Sequence, residues 1–218
     1  MKSKYNMTIE ENVFFAKRNI VDMLYKSARL EGIAVTYPET DAIYNGINID
    51  RLGVKEIVKI NNLKYAWAFL LDNLAYPFDY PYLCKLNQLI GNGDIQRAGF
   101  IRNLDVSIGG TDWKPERPDE TRIKDTLSAI GEIENPTERA IKTMLYCVRG
   151  QFFLDGNKRT SMLAANQILI SHGAGVLSVP IREQPDFLTL LVGFYETGEP
   201  ESITRFLYDK CIDGMATH

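Results

Sequence analysis

The stretch Gln151-Phe-Phe-Leu-Asp-Gly-Asn-Lys-Arg-Thr160 lies between two segments with helical periodicity. Its five consecutive residues Asp, Gly, Asn, Lys and Arg form an unusual turn between two helices. A loop that leads into a helix presents unpaired backbone N–H groups, and the helix dipole favours an anion at that end. The stretch is therefore interpreted either as a phosphate site or as a helix cap with charged surface residues.

The individual residues of this loop suit a polyphosphate with a magnesium ion. Gly156 allows the backbone to approach a ligand closely, and the N–H groups of Gly156, Asn157 and Lys158 lie at the helix start. Lys158 and Arg159 add positive charge. Asp155 is a reasonable carboxylate for Mg²⁺, which takes one or two carboxylates together with phosphate oxygens.

Helical patterns dominate the rest of the chain. Before the loop, Asn135 is predicted to cap a helix that begins at Pro136 and ends near Gly150. After it, residues 158–171 have almost no polar face, which predicts a helix in the middle of the fold. We expect an all-α fold, a helical bundle around this central helix pair. Further helices are predicted at 8–31, 41–44, 55–75, 82–90, 119–131, 184–197 and 200–212.

Residues 99–118 differ in character from the helical segments. Val106 and Ile108 alternate with polar residues, and Gly109-Gly110 is typical of a hairpin turn. The sequence therefore predicts one β-hairpin. A two-stranded hairpin is marginal alone, so it should lie against the helices and expose an unpaired edge.

Ser27 and Glu31 stand four residues apart, so they share one face of the last turn of the first predicted helix. The simplest interpretation is two solvated polar residues before Gly32, which ends the helix. From spacing alone this interpretation is favoured.

The bulk composition is that of a globular protein. The chain has 218 residues, 45% of them hydrophobic, and a net charge of −3. This charge provides no global field that would recruit nucleic acid or an anionic membrane. The first residues lack an apolar signal core, and no apolar run approaches about 18 residues, the length that spans a bilayer. We expect a cytoplasmic protein without nucleic-acid or membrane partners, and the oligomeric state stays open.

The loop resembles the signature of the Fic (Fido) family, His-x-Phe-x-Asp/Glu-Gly-Asn-Gly/Lys-Arg-x-x-Arg. Phe153 and residues 155–159 match it in register. Residues 99–118 resemble the family's flap, with Gly-x-x-Arg, Val-x-Ile-Gly-Gly and then proline. Ser27-x-x-x-Glu31-Gly32 resembles the inhibitory-helix motif of the subgroup that carries it before the core. This resemblance divides the chain into an N-terminal helical region with the inhibitory-type motif, a Fic core with a hairpin flap, and a tail, at residues 1–60, 61–212 and 213–218.

The resemblance implies a function. Fic proteins mostly transfer AMP from ATP to a hydroxyl of a target protein, so ATP and Mg²⁺ are the implied cofactors. Asp155 would hold magnesium, and the flap would bind an extended target segment along its edge by β-augmentation. Glu31 would block productive ATP placement by pairing with a motif arginine. The implied phosphate ligands are Gly156, Asn157 and Arg159.

The first signature residue departs from the family. The family uses histidine as the general base at this position, and this chain has Gln151, whose amide cannot hold a proton at neutral pH. A positioned base contributes about 10²- to 10⁴-fold in rate, or roughly 3–5 kcal/mol. The two histidines are His172, at the far end of the following helix, and His218. Neither is expected to replace the base.

Two further departures concern the nucleotide. Met162 stands where the second signature arginine is expected, so one nucleotide contact and the usual partner of the inhibitory glutamate are missing. Lys158 in place of glycine resembles the subset that includes the Doc toxins, which transfer phosphate.

Three interpretations follow. The protein is a transferase with weak or altered activity, a catalytically inactive pseudoenzyme that binds a nucleotide, or an interaction module that uses the flap. Gln151 and Met162 argue against the first, and the intact residues 155–159 argue against the third.

Overall fold

A computed structural model describes residues 1–215. Within this range the chain forms ten α-helices and one short antiparallel sheet. The helices are α1 (Ile9–Arg18), α2 (Ile20–Leu30), α3 (Tyr37–Tyr44), α4 (Val54–Asp72), α5 (Tyr80–Ile90), α6 (Glu120–Gly131), α7 (Pro136–Gly150), α8 (Asn157–Ser171), α9 (Gln184–Thr197) and α10 (Glu201–Phe206). The strands are β1 (Val176–Leu177) and β2 (Ile212–Asp213).

The helix pair α7 and α8 lies at the centre of the fold. The side chain of Asn135 accepts a hydrogen bond from the N–H of Glu138 (2.9 Å), which confirms the predicted cap. Thirteen of the fifteen residues of α8 are buried, so this helix has packing partners on all sides. One apolar cluster joins it to α4 and α5, and a second joins it to α9 and α10. The all-α bundle around a central helix pair is confirmed.

The N-terminal segment is two helices rather than the single helix predicted at 8–31. The first of them begins with a capping box between Thr8 and Glu11. The helix is interrupted at Asn19, whose φ of −103° and ψ of 11° leave the helical region. The Asn19 side chain donates to the carbonyl of Phe15 (2.8 Å), and such local hydrogen bonds compete with helix continuation.

Two other helix boundaries were wrong. The short helix predicted at 41–44 begins at Tyr37, because Thr36 and Glu39 form a capping box one turn earlier. The last predicted helix, 200–212, is α-helical only to Phe206. A π-helical turn, Leu207–Cys211, follows, and the chain then extends into β2.

The predicted hairpin at 99–118 does not form a β-ladder. A turn is present at 109–110, but neither arm is a strand, and the sheet of the described residues lies elsewhere. The side chain of Arg102 lies between the arms and donates to the carbonyls of Leu104 (2.7 Å) and Glu116 (2.5 Å). Because this buried guanidinium takes carbonyls that a ladder would use, the arms are held by a side chain. We call residues 99–118 the flap.

The first sixty residues pack closely on the rest. Helix α1 contacts α8, and a third apolar cluster fills the space between α2, α3 and α4. The division at residue 60 stays a prediction, and the last three residues of the predicted tail, including His218, lie outside the described range. No helix among residues 1–215 is long and apolar enough to cross a membrane.

Candidate functional site

The loop between α7 and α8 reverses the chain through two left-handed residues. Gln151 has a φ of +45°, which costs about 1–2 kcal/mol for a residue other than glycine. Gly156 has a φ of +78°, and a Cβ there would lie 2.9 Å from Cγ2 of Ile90. Phe152 and Phe153 are buried, at 4% and 2% exposure, and anchor the loop in the core.

Asn157 holds the loop together with its side chain. Its Oδ1 accepts from the N–H of Phe153 (3.0 Å), and its Nδ2 donates to the carbonyl of Phe153 (2.8 Å) and to Oε1 of Gln151 (3.1 Å). With the amide engaged at both ends, a phosphate contact from Asn157 would have to come from its backbone N–H.

The side chain of Gln151 is fixed in the same way. Its Nε2 donates to the carbonyl of Val148 (2.7 Å) and lies 3.4 Å from the hydroxyl of Tyr195. Burial raises the pKa of Tyr195 above its usual value, so the phenol stays protonated at neutral pH. Neither side chain can accept a proton from a substrate hydroxyl.

Arg159 is buried, with 2% exposure, and its guanidinium lacks a hydrogen-bonding partner in the described part of the chain. Its Nε lies 3.3 Å from Oε2 of Glu31 without hydrogen-bonding geometry, and its Nη2 lies 3.9 Å from Oδ1 of Asp155. A buried donor left unpaired costs about 1–3 kcal/mol, and more when it is charged. The structure thus brings the predicted regulatory glutamate onto a predicted phosphate ligand.

Lys158 points in the same direction as Arg159. Its Nζ lies 3.3 Å from Oε1 of Glu31 and donates to the carbonyl of Leu30 (3.2 Å), the last residue of α2. Two cations therefore flank one carboxylate. Lys158 is bound to the end of α2 instead of being free in the loop.

Asp155 is the one candidate metal ligand. Its side chain is 61% exposed, and Oδ1 accepts from the N–H of Gly156 (2.6 Å), so that backbone donor is already used. Residues 1–215 contain no cluster of three or more His, Cys, Asp or Glu side chains that could hold a metal. A single carboxylate fits Mg²⁺ only when phosphate oxygens and water complete the shell, which is how this ion is usually bound.

Glu31, Gln151 and residues 154–158 line a cavity of about 290 Å³, which we call the motif pocket. Arg159 does not line this cavity itself, but it lies against two residues that do, Glu31 and Asp155. The flap supplies one wall with Val106, Ile108 and Gly109. Gly110 lies outside the lining, facing Val192. The opposite wall is α9, which the sequence analysis missed. Its lining residues have the spacing of a single helix face, and they are Leu188, Leu191, Val192 and Tyr195.

Asn87 on α5 is a second residue that the sequence analysis missed. It is fully buried, and its Nδ2 donates to the carbonyl of Asp155 (3.0 Å) and to Oγ1 of Thr160 (3.2 Å). Its Oδ1 accepts from the N–H of Gly99, where the flap begins (2.8 Å). A lone asparagine on an otherwise apolar helix face was the available signal.

Three other predicted residues lie around the pocket or away from it. Ser27 lies one turn before Glu31, and its hydroxyl makes no hydrogen bond within residues 1–215. Met162 is 7% exposed and belongs to the same apolar cluster as Leu30. His172 is bound at the far end of α8, with Nδ1 2.8 Å from the carbonyl of Ile168.

The protein is therefore a helical bundle in which the loop between the two central helices is held against a flap. At the start of α8 it carries a buried arginine that makes no hydrogen bond within residues 1–215, and this loop is a candidate anion site. Residues 77–169 match the sequence model of the Fic/DOC family.

A curated relative is protein adenylyltransferase fic-1 of Caenorhabditis elegans, which is 26% identical over an alignment 179 residues long. The alignment covers 77% of this chain and 35% of that protein. The chain thus spans about a third of the length of the relative it matches.

Solved structures show the same fold. A fragment of Fic-1 from C. elegans superposes with a TM-score of 0.79 at 19% identity, covering 89% of this chain and 62% of that one. A Fic-domain signalling protein from Bacteroides thetaiotaomicron gives a TM-score of 0.74 at 18% identity, with 93% and 85% covered. These structural similarities define the fold, and the chemistry of this chain has to be argued from its own residues.

Proposed function

We propose that this protein binds a nucleotide phosphate with Mg²⁺ in the motif pocket and transfers AMP weakly or not at all. The observation that carries the proposal is the buried guanidinium of Arg159, whose three nitrogens make no hydrogen bond within residues 1–215. A phosphate supplies several charged acceptors at once, and arginine pairs with phosphate more strongly than with neutral groups.

The remaining groups around Arg159 suit the same ligand. The first turn of α8 contributes unpaired backbone N–H groups and the positive end of the helix dipole. Asp155, which is exposed at the mouth of the loop, is the ligand proposed for Mg²⁺. When bound, the ion would neutralise charge on the phosphate oxygens. ATP is proposed because the curated relative is a protein adenylyltransferase.

Glu31 is proposed to inhibit the site by occupying Arg159. Its carboxylate lies 3.3 Å from both Arg159 Nε and Lys158 Nζ, where a phosphate would otherwise approach. Arg159 and Lys158 thereby take the place of the second signature arginine, which Met162 replaces. The chain is assigned on this basis to the subgroup with an N-terminal inhibitory helix.

Catalysis by the family's usual route is proposed to be impaired at Gln151. The amide is held by Val148, Asn157 and Tyr195, and it has no basic nitrogen. Positioning and charge stabilisation by the rest of the pocket could still give slow transfer. The locked amide equally favours the second candidate, an inactive nucleotide-binding pseudoenzyme.

The flap is proposed to dock a protein target. Residues 106–108 have no regular secondary structure, line the motif pocket and pair with no strand of the described chain. Their free backbone groups could therefore pair with an extended target segment, as in β-augmentation.

Calorimetry of ATP–Mg²⁺ binding tests the proposal. The unaltered protein should bind measurably, and Glu31→Gln should tighten binding by about tenfold, because it removes a charge that competes for Arg159. Arg159→Met should abolish the heat, whereas Glu10→Gln on the exposed face of α1 should leave the affinity unchanged. An absence of heat with ATP, ADP and GTP in folded Glu31→Gln protein would overturn the nucleotide site.

A further inference from the structure

A second and larger cavity lies behind the flap. Its volume is about 850 Å³, and no residue that lines it also lines the motif pocket. The second arm of the flap forms one side, and α6, α7 and the region from α9 to α10 form the others. The interior is largely apolar, with contributions from Ile123, Ile141, Leu145 and Phe152. A cavity of this size suits a small organic ligand.

The charges around this rear cavity are unbalanced. Five lysines and arginines line it against three acidic residues, although the whole protein has a net charge of −3. Three of the five cations, Arg117, Arg122 and Lys142, have carboxylate partners. Among the described residues, Lys114 and Arg149 have no carboxylate within 4.0 Å. The cavity therefore combines an apolar interior with uncompensated positive charge.

Arg149 is held in place without being neutralised. Its Nε donates to the carbonyl of Phe194 (3.2 Å), and its Nη2 donates to the carbonyl of Tyr195 (3.2 Å). The guanidinium lies over the ring of Trp113, 4.7 Å from the centroid. Carbonyls and an aromatic face orient the cation but leave its full charge to attract an anion.

We propose that the rear cavity binds a small amphipathic anion, with an aromatic or branched aliphatic body and one carboxylate or sulfonate group. The body would fill the apolar interior, and the anionic group would meet Arg149 and Lys114. The proposal is independent of nucleotide binding, because it uses none of the motif-pocket residues.

The same ligand would contact a wall that both cavities share. Trp113 lines the rear cavity and stacks on Tyr195, with ring centroids 5.7 Å apart and planes within 2° of parallel. Tyr195 lines the motif pocket from its other side. Occupation of the rear cavity would therefore touch the side chain that backs Gln151.

Fluorescence titration with anilinonaphthalene sulfonate, an aromatic sulfonate, tests this site in the full chain. We expect one saturable site, weakened about tenfold by Arg149→Gln, because a charge-assisted contact is lost. Arg139→Gln is the matched control. Arg139 lies on the same helix and its Nε also donates to a main-chain carbonyl, that of Ile133 (2.8 Å), but it does not line the cavity. The affinity of the Arg139→Gln variant for the dye should stay within about twofold of that of the unaltered protein.

A second variant avoids dependence on the packing role of Arg149. Lys114 is exposed, so Lys114→Gln should fold normally and weaken dye binding by about threefold. Inorganic sulfate at the same concentration should not displace the dye, since it lacks the apolar body. Equal affinities in the Arg149 and Arg139 variants, no effect of Lys114→Gln, displacement by sulfate, or binding without saturation would each overturn the proposal.

Discussion

Two buried arginines lie on opposite sides of the loop between α7 and α8. Arg102 and Arg159 are 3% and 2% exposed. The guanidinium of Arg102 donates to the main-chain carbonyls of Gln151 (2.6 Å), Leu104 (2.7 Å) and Glu116 (2.5 Å), and burial lowers its pKa. That of Arg159 makes no hydrogen bond within the described chain and is approached by Glu31.

The difference shows which arginine supports the fold and which one is available to a ligand. Every contact of Arg102 is to main chain, so it fixes the flap to the loop and leaves little for a ligand. Within the described chain the donors of Arg159 make no hydrogen bond, and the carboxylate of Glu31 approaches them without hydrogen-bonding geometry. Buried donors that lack a hydrogen bond are uncommon and need an explanation such as a ligand. If the comparison is right, the two arginines should respond oppositely to substitution.

The largest effect is expected from restoring the missing base at position 151. Gln151→His combined with Glu31→Gly should raise self-AMPylation by about 100-fold or more, because a positioned base contributes that much. The rate should increase as pH rises through about 6.5, the ordinary histidine pKa, since only the neutral imidazole accepts a proton. Intact mass measured over time gives the rate.

The same double variant, Gln151→His with Glu31→Gly, also tests the role of Arg159. Adding Arg159→Met should abolish the modification while the protein stays folded. If the double variant remains at the unmodified mass, the missing base is not the only cause of the lost transfer activity, and Met162 or the shape of the pocket is a second cause. Robust modification of the unaltered protein would show that the argument from Gln151 is wrong.

Arg102→Met should cause the largest loss of stability. The substitution leaves main-chain carbonyls of the flap and the loop without a hydrogen-bond donor. We therefore expect the free energy of unfolding to fall by roughly 3 kcal/mol and the melting temperature to fall by about 6–12 °C. Arg159→Met removes a guanidinium that makes no hydrogen bond within the described chain. Glu31 keeps its ion pair with Lys158 (3.3 Å), so we expect stability to change by less than about 1 kcal/mol. Urea unfolding measures both, and equal losses would make Arg159 a structural residue.

Alanine substitutions at two glycines test how tightly the loop is packed, and the expected loss of stability is smaller than for Arg102→Met. Gly156 and Gly32 have the same φ of +78°, but a Cβ at Gly156 would meet Ile90, whereas one at Gly32 would meet nothing within 4 Å. Both alanine variants carry the left-handed strain, and only Gly156→Ala adds overpacking, so it should cost about 2 kcal/mol more. Similar melting temperatures for the two variants would show that the loop can shift without loss.

Local chemistry made much of this molecule predictable. The caps at Thr8 and Asn135, the burial of α8 and the loop between the central helices each depend on residues close in sequence. The flap failed as a hairpin because its alternating pattern says nothing of Arg102, whose buried side chain takes the carbonyls of both arms. Such competition depends on the folded geometry.

The site was only half visible for the same reason. Loop residues 155–159 could be identified from their chemistry, but the wall formed by α9 and the fastening by Asn87 come from segments far away in sequence. Glu31 could be suspected only from the resemblance of its motif to the inhibitory helix, because its spacing with Ser27 alone favours two solvated residues. Its contacts with Arg159 and Lys158 required the structure, because they join α2 to α8.

The smallest predicted effect concerns Lys158, which the sequence assigned to phosphate and the structure places on Glu31 and Leu30. While Glu31 is present, Lys158 is engaged at the end of α2, so Lys158→Met should weaken ATP–Mg²⁺ binding by less than about threefold. In the Glu31→Gln background the ammonium loses its carboxylate partner and can turn to the phosphate. There the same substitution should weaken binding by about tenfold. Calorimetry on the four proteins of this double-mutant cycle measures the coupling. Equal losses in both backgrounds would mean that Lys158 binds phosphate independently of Glu31. Glu31 would then compete with phosphate at Arg159 alone.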